Sequence, residues 1–208
     1  MAVITLASSK GGSGKSTIAL NLARELQLRG KKVIALDADP QQSLIDEYHL
    51  LESSPLFDAE LLPEGEDAEA VISSLRGSYD FIIIDSQGVL DKRVISILAN
   101  TDLAIIPVKP SQKDIYAIST MVDLVKQMKE KSGHPSAAFL VNGAIQNTKL
   151  SKDIFEVLTN YELQMFEQAI YQRVSYTEIR DGRCAIDFDH KAKAEIGVIA
   201  DELQEAFK

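Results

Sequence analysis

The feature that most constrains this chain is a glycine-rich loop between a predicted strand and a predicted helix. The apolar run Val3–Ala7 predicts a buried strand, and apolar residues recur every four positions from Ile18 to Leu26, as on one face of a helix. Between them, residues 9–16 read Ser-Lys-Gly-Gly-Ser-Gly-Lys-Ser. This matches the phosphate-loop pattern G-x-x-x-x-G-K-[ST], except that Ser9 replaces the first glycine. The strand–loop–helix context favours a nucleoside triphosphate site over a turn that only caps a helix.

The residue types of this loop suit a polyphosphate. Glycines let successive backbone N–H groups turn inward around phosphate oxygens, and the helix N-terminus adds the positive end of its dipole. A lysine at the position of Lys15 bridges the β- and γ-phosphates and serves catalysis, and a hydroxyl at the position of Ser16 binds Mg²⁺. We therefore predict a site for ATP and Mg²⁺ formed by Lys10, Gly11, Gly12, Ser13, Gly14, Lys15, Ser16 and Thr17.

Short apolar runs alternate with helix-period segments along the rest of the chain. Buried strands are predicted at Val33–Leu36, Phe81–Ile84, Leu103–Val108 and Ala137–Val141. The alternation predicts an α/β fold, a three-layer α/β/α sandwich with a mostly parallel twisted sheet. Together with the phosphate-loop motif, it is the fold expected of a P-loop NTPase. Because 208 residues suit one domain and no repeat or linker interrupts them, residues 1–208 are expected to form a single domain.

Two stretches leave the prediction open. Residues 52–65, with Pro55 and Pro63 as breakers, are expected to be loop or edge strand. Residues 166–172 are expected to be a last strand or a turn, and a helix is predicted over 191–207.

Polar residues follow the ends of the predicted strands. Asp37–Asp39, Asp85 and residues 107–111 each come directly after an apolar run. Because ligands of parallel sheets lie at the carboxyl ends of the strands, we expect these residues to converge with the phosphate loop on one crevice. Lysines, carboxylates and a hydroxyl suit phosphoryl transfer to water, and neither a Ser-His-Asp nor a zinc-site pattern is present.

Composition bears on the partners of the protein and on its location in the cell. The net charge is −9, yet residues 1–32 hold six Lys or Arg against one Glu, while residues 33–75 hold eleven Asp or Glu and no Lys or Arg. The total therefore does not exclude an anionic partner. A single cysteine, Cys184, permits no disulfide within the chain, so a cytoplasmic location is expected. No apolar run approaches the roughly 20 residues of a membrane span.

Lys10 gives the loop the pattern Lys-Gly-Gly-x-Gly-Lys-[Ser/Thr], and with it the chain resembles the ParA/MinD superfamily of deviant Walker A ATPases. The resemblance extends over nearly the whole chain and is closest to the short, ParF-like plasmid partition ATPases. Its motifs are a switch I segment at Asp37–Gln41, a Walker B strand at Tyr79–Asp85, the I-P-V-x-P-S stretch at Ile106–Ser111, and C-terminal patterns at Arg173–Glu178 and Lys191–Ile196. One departure comes after Walker B, where Ser86-Gln87-Gly88 stands in place of the Pro-Pro pair of many relatives.

The resemblance implies a role for several residues. Lys10 would reach across a dimer to the partner's phosphates, and Asp39 would orient or activate the attacking water. Asp85 and Asp37 would hold Mg²⁺ through water. Asn142 matches a position that contacts adenine. Two alternatives stay open: Asp37 as a residue that caps its turn, and Asn142 as an ordinary turn residue.

The function implied is that of a DNA partition ATPase in the cytoplasm, associated with the nucleoid. ATP would close a homodimer, the dimer would bind DNA non-specifically, and a ParB-like centromere-binding or adaptor protein would stimulate hydrolysis to ADP. DNA contacts are expected from C-terminal basic residues, because Lys and Arg neutralise backbone phosphates: Lys149, Lys152, Arg173, Arg180, Arg183, Lys191 and Lys193.

Other functions remain as alternatives. An ATPase that positions a different intracellular cargo would have the same motifs. A MinD-like membrane-cycling ATPase would need a basic amphipathic C-terminal helix, but acidic residues flank the apolar stripe from Ile196 to Phe207, which predicts a helix docked on the domain and no membrane partner. A metal-cluster carrier would bridge its cluster with cysteines of two subunits, and Cys184 lies far from Walker B.

Overall fold

The computed structural model describes residues 1–52 and 56–208, and of residues 112, 113 and 115–117 only the backbone. Strands and helices alternate along the described chain. The strands are β1 (Ala2–Leu6), β2 (Val33–Asp37), β3 (Asp58–Leu61), β4 (Phe81–Asp85), β5 (Leu103–Val108), β6 (Ser136–Ala144), β7 (Gln164–Met165) and β8 (Ile170–Tyr171). The helices are α1 (Lys15–Leu28), α2 (Ser43–His49), α3 (Ala68–Leu75), α4 (Lys92–Ala99), α5 (Gln112–Ser132), α6 (Lys149–Thr159), α7 (Ala185–Phe188) and α8 (His190–Ala206), and a 3₁₀ helix spans Val174–Thr177.

The strands form one sheet in the order β3-β2-β4-β1-β5-β6-β7, and β8 continues beside β6. Every pair of these strands is parallel. The chain builds one half of the sheet on one side of β1 and then crosses to build the other half. The loop after β1 therefore lies at the switch point of the sheet, where ligands of such folds bind.

Helices cover both faces of the sheet, which confirms the predicted α/β/α sandwich. On one face, Ile4 and Leu6 of β1 pack with apolar residues of α1 and α8 in a single buried cluster. On the other face, Val3 packs with residues of α3 and α4, and the β5–β6 half packs against α5 and α6. The alternation of Val3 and Ile4 follows the period of two that any strand imposes.

The structure assigns the two segments whose secondary structure the sequence left undecided. The segment 52–65 contains the edge strand β3, whose residues are mostly exposed, and its residues 53–55, with Pro55, lie outside the described part. The predicted strand or turn at 166–172 is the two-residue strand β8, while the equally short β7 was not predicted. Strand β6 runs on to Ala144, beyond the predicted end at Val141, and so carries Asn142 inside the sheet.

Candidate nucleotide-binding site

The loop between β1 and α1 has the backbone of a phosphate cradle. Gly12 and Gly14 have φ angles of 74° and 91°, in the left-handed region that glycine adopts without strain. The Ser8 hydroxyl donates to the Lys10 carbonyl at 2.8 Å and holds the loop closed. Helix α1 begins directly after Gly14, and its first three N–H groups have no partner within the helix. An anion in the loop would meet these groups and the positive end of the helix dipole.

Lys15 lies at the bottom of this cradle and is only 6% exposed. Its Nζ lies 3.3 Å from the hydroxyl of Ser8. Burial lowers the pKa of Lys15, although the nearby carboxylates of Asp85 and Asp39 oppose that shift. The lysine therefore sits between a cradle for phosphate and two acidic strand ends.

Asp85 ends β4, between β1 and β2, and is fully buried. Neither of its carboxylate oxygens has a hydrogen-bond partner in the described part of the chain. Burial raises the pKa of Asp85 to about 7, and the Ser16 hydroxyl and the Lys15 ammonium nearby only partly oppose this. A buried carboxylate without a partner costs free energy, which indicates a place for a ligand.

The residues around Asp85 fit Mg²⁺. Ser16 and Asp85 offer the hard oxygen ligands that this ion prefers. Among the described residues no cluster of three His, Cys, Asp or Glu could hold a metal by itself. This is the usual situation for Mg²⁺, which takes one or two protein oxygens and completes its shell with water and substrate phosphates.

Asp37 ends β2 directly opposite Asp85, but its carboxylate is already engaged. It accepts backbone N–H bonds from Asp39 at 3.0 Å, from Leu44 at 3.0 Å and from Ile45 at 3.1 Å. Burial raises the pKa of Asp37 while these three bonds lower it. The contacts support the alternative in which Asp37 caps the turn into α2.

Asp39 follows two residues later and is half-buried. One of its oxygens accepts the N–H of Gln41 at 3.0 Å. Its charge acts on Lys15, whose pKa burial lowers and Asp39 partly restores. Asp39 therefore lies within electrostatic reach of the buried lysine, and its role in orienting water stays a prediction.

Lys10 turns away from the cradle. Its side chain is 45% exposed, and its ammonium forms a 2.5 Å ion pair with Asp114 in the first turn of α5. Ser111 caps the same helix and also donates to the Asp114 carboxylate. Burial would raise the pKa of Asp114, but Lys10 and Ser111 together hold it below its usual value. In the single chain, the lysine predicted to serve a partner is thus bound to its own α5.

Asn142 of β6 forms a hydrogen bond to the phosphate loop. Its side-chain amide donates to the Ser13 carbonyl at 2.7 Å, and a Cβ at Gly14 would lie 2.3 Å from the same nitrogen. Asn142 lies within β6 and is not a turn residue, which excludes that alternative. It also borders a cavity of about 300 Å³ beside the loop.

This cavity is continuous with the cradle. Its lining includes Gly12, Gly14 and Thr17 from the loop and α1. It also includes residues that were not predicted from the sequence as part of the site, among them Lys109, Tyr171 and Tyr176. Lys109 occupies the variable position of the I-P-V-x-P-S stretch, and Tyr176 belongs to the C-terminal R-x-x-Y-x-E pattern. Both family motifs could therefore have indicated that these residues line the site.

The departure after Walker B has a structural explanation. Gly88 packs against the backbone of the phosphate loop, where a Cβ would lie 2.7 Å from the Gly11 nitrogen and 2.9 Å from the Lys10 carbonyl carbon. Only glycine permits so close an approach. At Gly88, the loop after β4 therefore contacts the phosphate loop backbone to backbone.

The predicted DNA-contact residues divide into two groups. The three arginines are engaged: Arg173 pairs with Glu195, Arg180 with Glu178 while lying 4.8 Å from the Phe188 ring centre, and Arg183 with Asp181. The four lysines are exposed and form no ion pair with any described residue: Lys149, Lys152, Lys191 and Lys193. Lys152 and Lys191 border adjoining depressions that share Ile145 and Tyr171, so these two cations lie on one surface.

The C-terminal helix is docked on the protein. Ile196, Ile199 and Leu203 of α8 are buried in the cluster that also contains α1. Three residues of the apolar stripe are therefore part of the core, while Phe207 at its end is exposed. Within the described part of the chain, no helix combines the length and apolar character that crossing a membrane requires.

Comparison with known proteins identifies the family. The family model of the CobQ/CobB/MinD/ParA nucleotide binding domain matches residues 4–181. Protein ParA of Rhizobium radiobacter is 28% identical over 185 residues, which cover 86% of this chain and 82% of that protein. Maintenance of carboxysome distribution protein A of Halothiobacillus neapolitanus is 24% identical over 178 residues, which cover 83% of this chain and 81% of that protein.

Solved structures share the fold. Apo McdA of Cyanothece superposes with a TM-score of 0.80 at 19% identity, with all of both chains covered. MinD of Aquifex aeolicus gives 0.79 at 21% identity, covering 99% of this chain and 98% of its own. Cobyrinic acid a,c-diamide synthase of Mycobacterium smegmatis, with bound ATP analogue and magnesium, gives 0.80 at 18% identity, covering 100% and 96%. With the family match over most of its length, this chain belongs to the ParA/MinD family of nucleotide-binding ATPases.

Proposed function

We propose that this protein is a Mg²⁺-dependent ATPase that partitions plasmid or chromosomal DNA, dimerising on ATP and hydrolysing it to ADP and phosphate when a ParB-like partner stimulates it. The observation that carries the proposal is the buried carboxylate of Asp85, unpartnered beside Lys15 at the phosphate loop. A phosphoryl-transfer site needs charge neutralisation and positioning at this point more than it needs a nucleophile.

Each residue of the cradle then has a chemical task. The N–H groups of the loop and the Lys15 ammonium would stabilise the charge that develops on the γ-phosphate. Ser16 and, through water, Asp85 would hold Mg²⁺, which when bound neutralises charge on the β- and γ-phosphates. Asp39 would orient the attacking water. Asp37 was predicted to share the Mg²⁺ water shell, but its three N–H bonds give that role less support than the role of Asp85.

The cavity beside the loop would take the nucleoside. Its volume of about 300 Å³ is at the lower end of the range of small-molecule sites. Asn142 and Thr17 both line the cavity. Asn142 would contact adenine, as the resemblance implies, and Thr17 would contact the α-phosphate. Lys109 would add a positive charge at the rim.

Dimerisation gives Lys10 its task. In the single chain it is paired with Asp114, and it would have to leave this ion pair to reach a partner's phosphates. The four exposed lysines would bind DNA phosphates on a composite face of the dimer. We also propose that residues 1–208 act as one domain, because α8, beyond the matched residues 4–181, packs in the same buried cluster as α1. The setting proposed is the cytoplasm, on the nucleoid.

Sizing by light scattering tests the dimer. We expect a monomer with ADP and a doubled mass with Mg²⁺ and a non-hydrolysable ATP analogue. Lys15→Ala should remain monomeric because it loses nucleotide, whereas Asp39→Ala should bind ATP, form the dimer and hydrolyse slowly. An unchanged mass with the analogue in the wild type, or normal turnover by Asp39→Ala, would contradict these roles.

DNA retention tests the cargo. We expect salt-sensitive binding of non-specific DNA with ATP and little with ADP. Substituting Lys149, Lys152, Lys191 and Lys193 by alanine should flatten the salt dependence by about one unit of slope per lost phosphate contact. The matched control is Lys129→Ala with Lys131→Ala, two lysines in the last turn of α5, which should leave the slope unchanged. Equal DNA binding with ADP and with ATP would rule out ATP-dependent binding of DNA.

A second cargo is supported by the relative of Halothiobacillus neapolitanus, whose name assigns it to carboxysome distribution. This chain could use the same cycle to position a protein assembly along DNA. A neighbouring gene for a small DNA-binding protein next to centromere-like repeats would favour plasmid partition over this second candidate.

A further inference from the structure

The two C-terminal sequence patterns meet at one buried carboxylate. Glu195 of α8 is 5% exposed. It accepts the N–H of Tyr171 at 3.2 Å, the Nε of Arg173 at 3.0 Å with a second bond from Nη2, and the hydroxyl of Tyr176 at 3.2 Å. All these donors come from one segment, residues 171–176, so a single side chain of α8 gathers that whole stretch.

The gathered segment is the outer wall of the cavity beside the phosphate loop. Tyr171, Arg173 and Tyr176 all border this cavity, whose inner wall is formed by Gly12, Gly14 and other residues of the loop and α1. Glu195 itself is not part of the lining. It therefore contacts the cavity only through the residues that it holds.

Little regular structure supports this wall otherwise. Strand β8 has two residues, its register with β6 is irregular, and it is followed by one bond from the Gln172 N–H to the Ala144 carbonyl at 2.8 Å. The 3₁₀ helix after it exposes Val174 and is tied to α8 by a bond from the Ser175 hydroxyl to Asp189 at 2.7 Å. The ionic contact with Glu195 is thus a main anchor of the wall. The hydrogen bond with Glu195 raises the pKa of Arg173, so the guanidinium of this contact is charged at neutral pH.

We propose that Glu195 is a positioning residue for nucleotide binding, which holds Arg173 and Tyr176 as the wall of the nucleoside cavity. The inference rests on the proposed nucleotide site, and it gives Arg173 a task other than the DNA contact expected from the sequence. Because these contacts are all made within the chain, they order the wall without any ligand atom, and affinity does not have to offset that ordering.

The test is ADP affinity, measured with a fluorescent ADP analogue and with unlabelled ADP as competitor. Glu195→Gln keeps the volume but places an amide N–H₂ among the donors of residues 171–176. We expect the dissociation constant to rise about tenfold, since hydrogen bonds to a charged group are among the stronger ones and part of their loss falls on the fold. In turnover, KM for ATP should rise by a larger factor than kcat changes.

The matched control lies on the same helix. Glu202 also accepts a backbone N–H, from Glu167, but borders a different cavity at the amino ends of the strands. Glu202→Gln should therefore leave ADP affinity within twofold of the wild type. If Glu195→Gln does not fold, Tyr176→Phe and Arg173→Gln remain as milder probes, and each should weaken ADP binding. Wild-type ADP affinity in all the folded variants of this contact would overturn the proposal.

The pairing makes a further demand. If Arg173 and Glu195 act as a unit, the double variant Arg173→Gln with Glu195→Gln should weaken ADP binding no more than the worse single variant. At saturating nucleotide Arg173→Gln should bind DNA as the wild type does. If the losses of ADP affinity in the two single variants add up fully in the double variant, the proposal is contradicted. A loss of DNA binding by Arg173→Gln with normal ADP affinity would contradict it too, and would indicate that Arg173 contacts DNA.

Failure of this inference can be told from failure of the proposed function. If the wild type binds ADP but neither dimerises nor retains DNA, the partition function fails while the affinity series still decides the role of Glu195. If the wild type dimerises and retains DNA but the variants all bind ADP with wild-type affinity, only the proposed role of Glu195 is contradicted. If the wild type binds no nucleotide, both are overturned.

Discussion

Two aspartates end neighbouring strands in the same register, and their surroundings are opposite. Asp37 ends β2 and Asp85 ends β4, paired across the ladder. Three backbone N–H groups donate to Asp37, whereas both oxygens of the equally buried Asp85 lack a partner in the described part of the chain. The cost of burying each carboxylate is therefore offset in a different way: for Asp37 by backbone N–H groups, and for Asp85, in the proposed site, by Mg²⁺ and its water.

The difference arises from the segment that comes after each strand. After Asp37 the chain turns into α2, and the free N–H groups at the start of that helix point back at the carboxylate. After Asp85 the chain runs to Gly88, which packs on the phosphate loop and brings no helix N-terminus to the carboxylate. A buried polar group that the protein leaves unsatisfied calls for an explanation such as a bound ion, whereas a satisfied one needs none.

Exchanging each carboxylate for its amide should separate the two roles most strongly. Asp37→Asn places an N–H₂ group against backbone donors, so we expect a loss of about 1–3 kcal/mol of unfolding free energy. Asp85→Asn removes a buried charge and should leave the protein at least as stable, yet lower Mg²⁺-dependent hydrolysis by about 10- to 100-fold. Urea unfolding at pH 8 and phosphate release measure the two effects.

Each variant serves as the control for the other. If Asp85→Asn proved the less stable of the two while hydrolysing ATP normally, the assignment of fold to one aspartate and ligand to the other would be reversed.

The sequence distinguishes these aspartates only in part, since a turn cap is an alternative role for Asp37 alone. Each follows an apolar run of strand character, and the family motifs gave both the same Mg²⁺ role. The sheet, the helices and the phosphate loop were predictable because periodicity and a spaced motif are local signals. The bonds from Leu44 and Ile45 to Asp37 depend on the direction of a turn, which no local pattern encodes. For the same reason β7 escaped prediction, since two residues cannot show a period.

The titration of Asp85 sharpens the comparison further. Its pKa in the fold is about 7 against the usual 3.8, so the folded state binds more protons than the unfolded chain between these values. The group therefore destabilises the fold increasingly as the pH rises from about 4 to about 7. The unfolding free energy of Asp85→Asn minus that of the wild type should grow over this window, by on the order of a few kcal/mol, and level off above about pH 8.

Urea unfolding of both proteins across this range, with chelator and without nucleotide, gives the difference directly. Taking the difference cancels the other carboxylates, among which Asp114 and Asp189 have lowered pKa values and stabilise the fold with the opposite pH trend. A constant difference from pH 4 to pH 8 would mean that Asp85 is not held with a raised pKa.

The absence of a side chain at Gly88 keeps the region after Asp85 open to the cradle. Gly88→Ala would place a Cβ 2.7 Å from the Gly11 nitrogen, so the loop must shift by several tenths of an ångström. We expect ADP affinity to fall about tenfold, because phosphate-binding N–H groups act through their position. Gly197→Ala is the matched control on α8, where the added Cβ meets its nearest atom at an ordinary 3.5 Å and should leave affinity unchanged. Equal affinities in the two variants would show that the loop tolerates the intrusion.

A third aspartate, Asp114, extends the comparison to a carboxylate satisfied by a lysine and a serine. It holds Lys10 in a partly exposed ion pair, and such pairs are worth only about 0.2–1 kcal/mol. Asp114→Asn keeps an oxygen for the Ser111 hydroxyl but releases Lys10, so the ATP analogue should drive dimerisation at a protein concentration about two- to fivefold lower. Asp201→Asn, which breaks a similarly short ion pair with Arg29 at 2.5 Å, should not shift dimerisation. The effect should also disappear in a Lys10→Ala background, because without the lysine the charge of Asp114 has nothing to hold. If Asp114→Asn still shifts dimerisation in the Lys10→Ala background, the shift comes from a change at the start of α5. The ion pair with Asp114 would then not restrain Lys10.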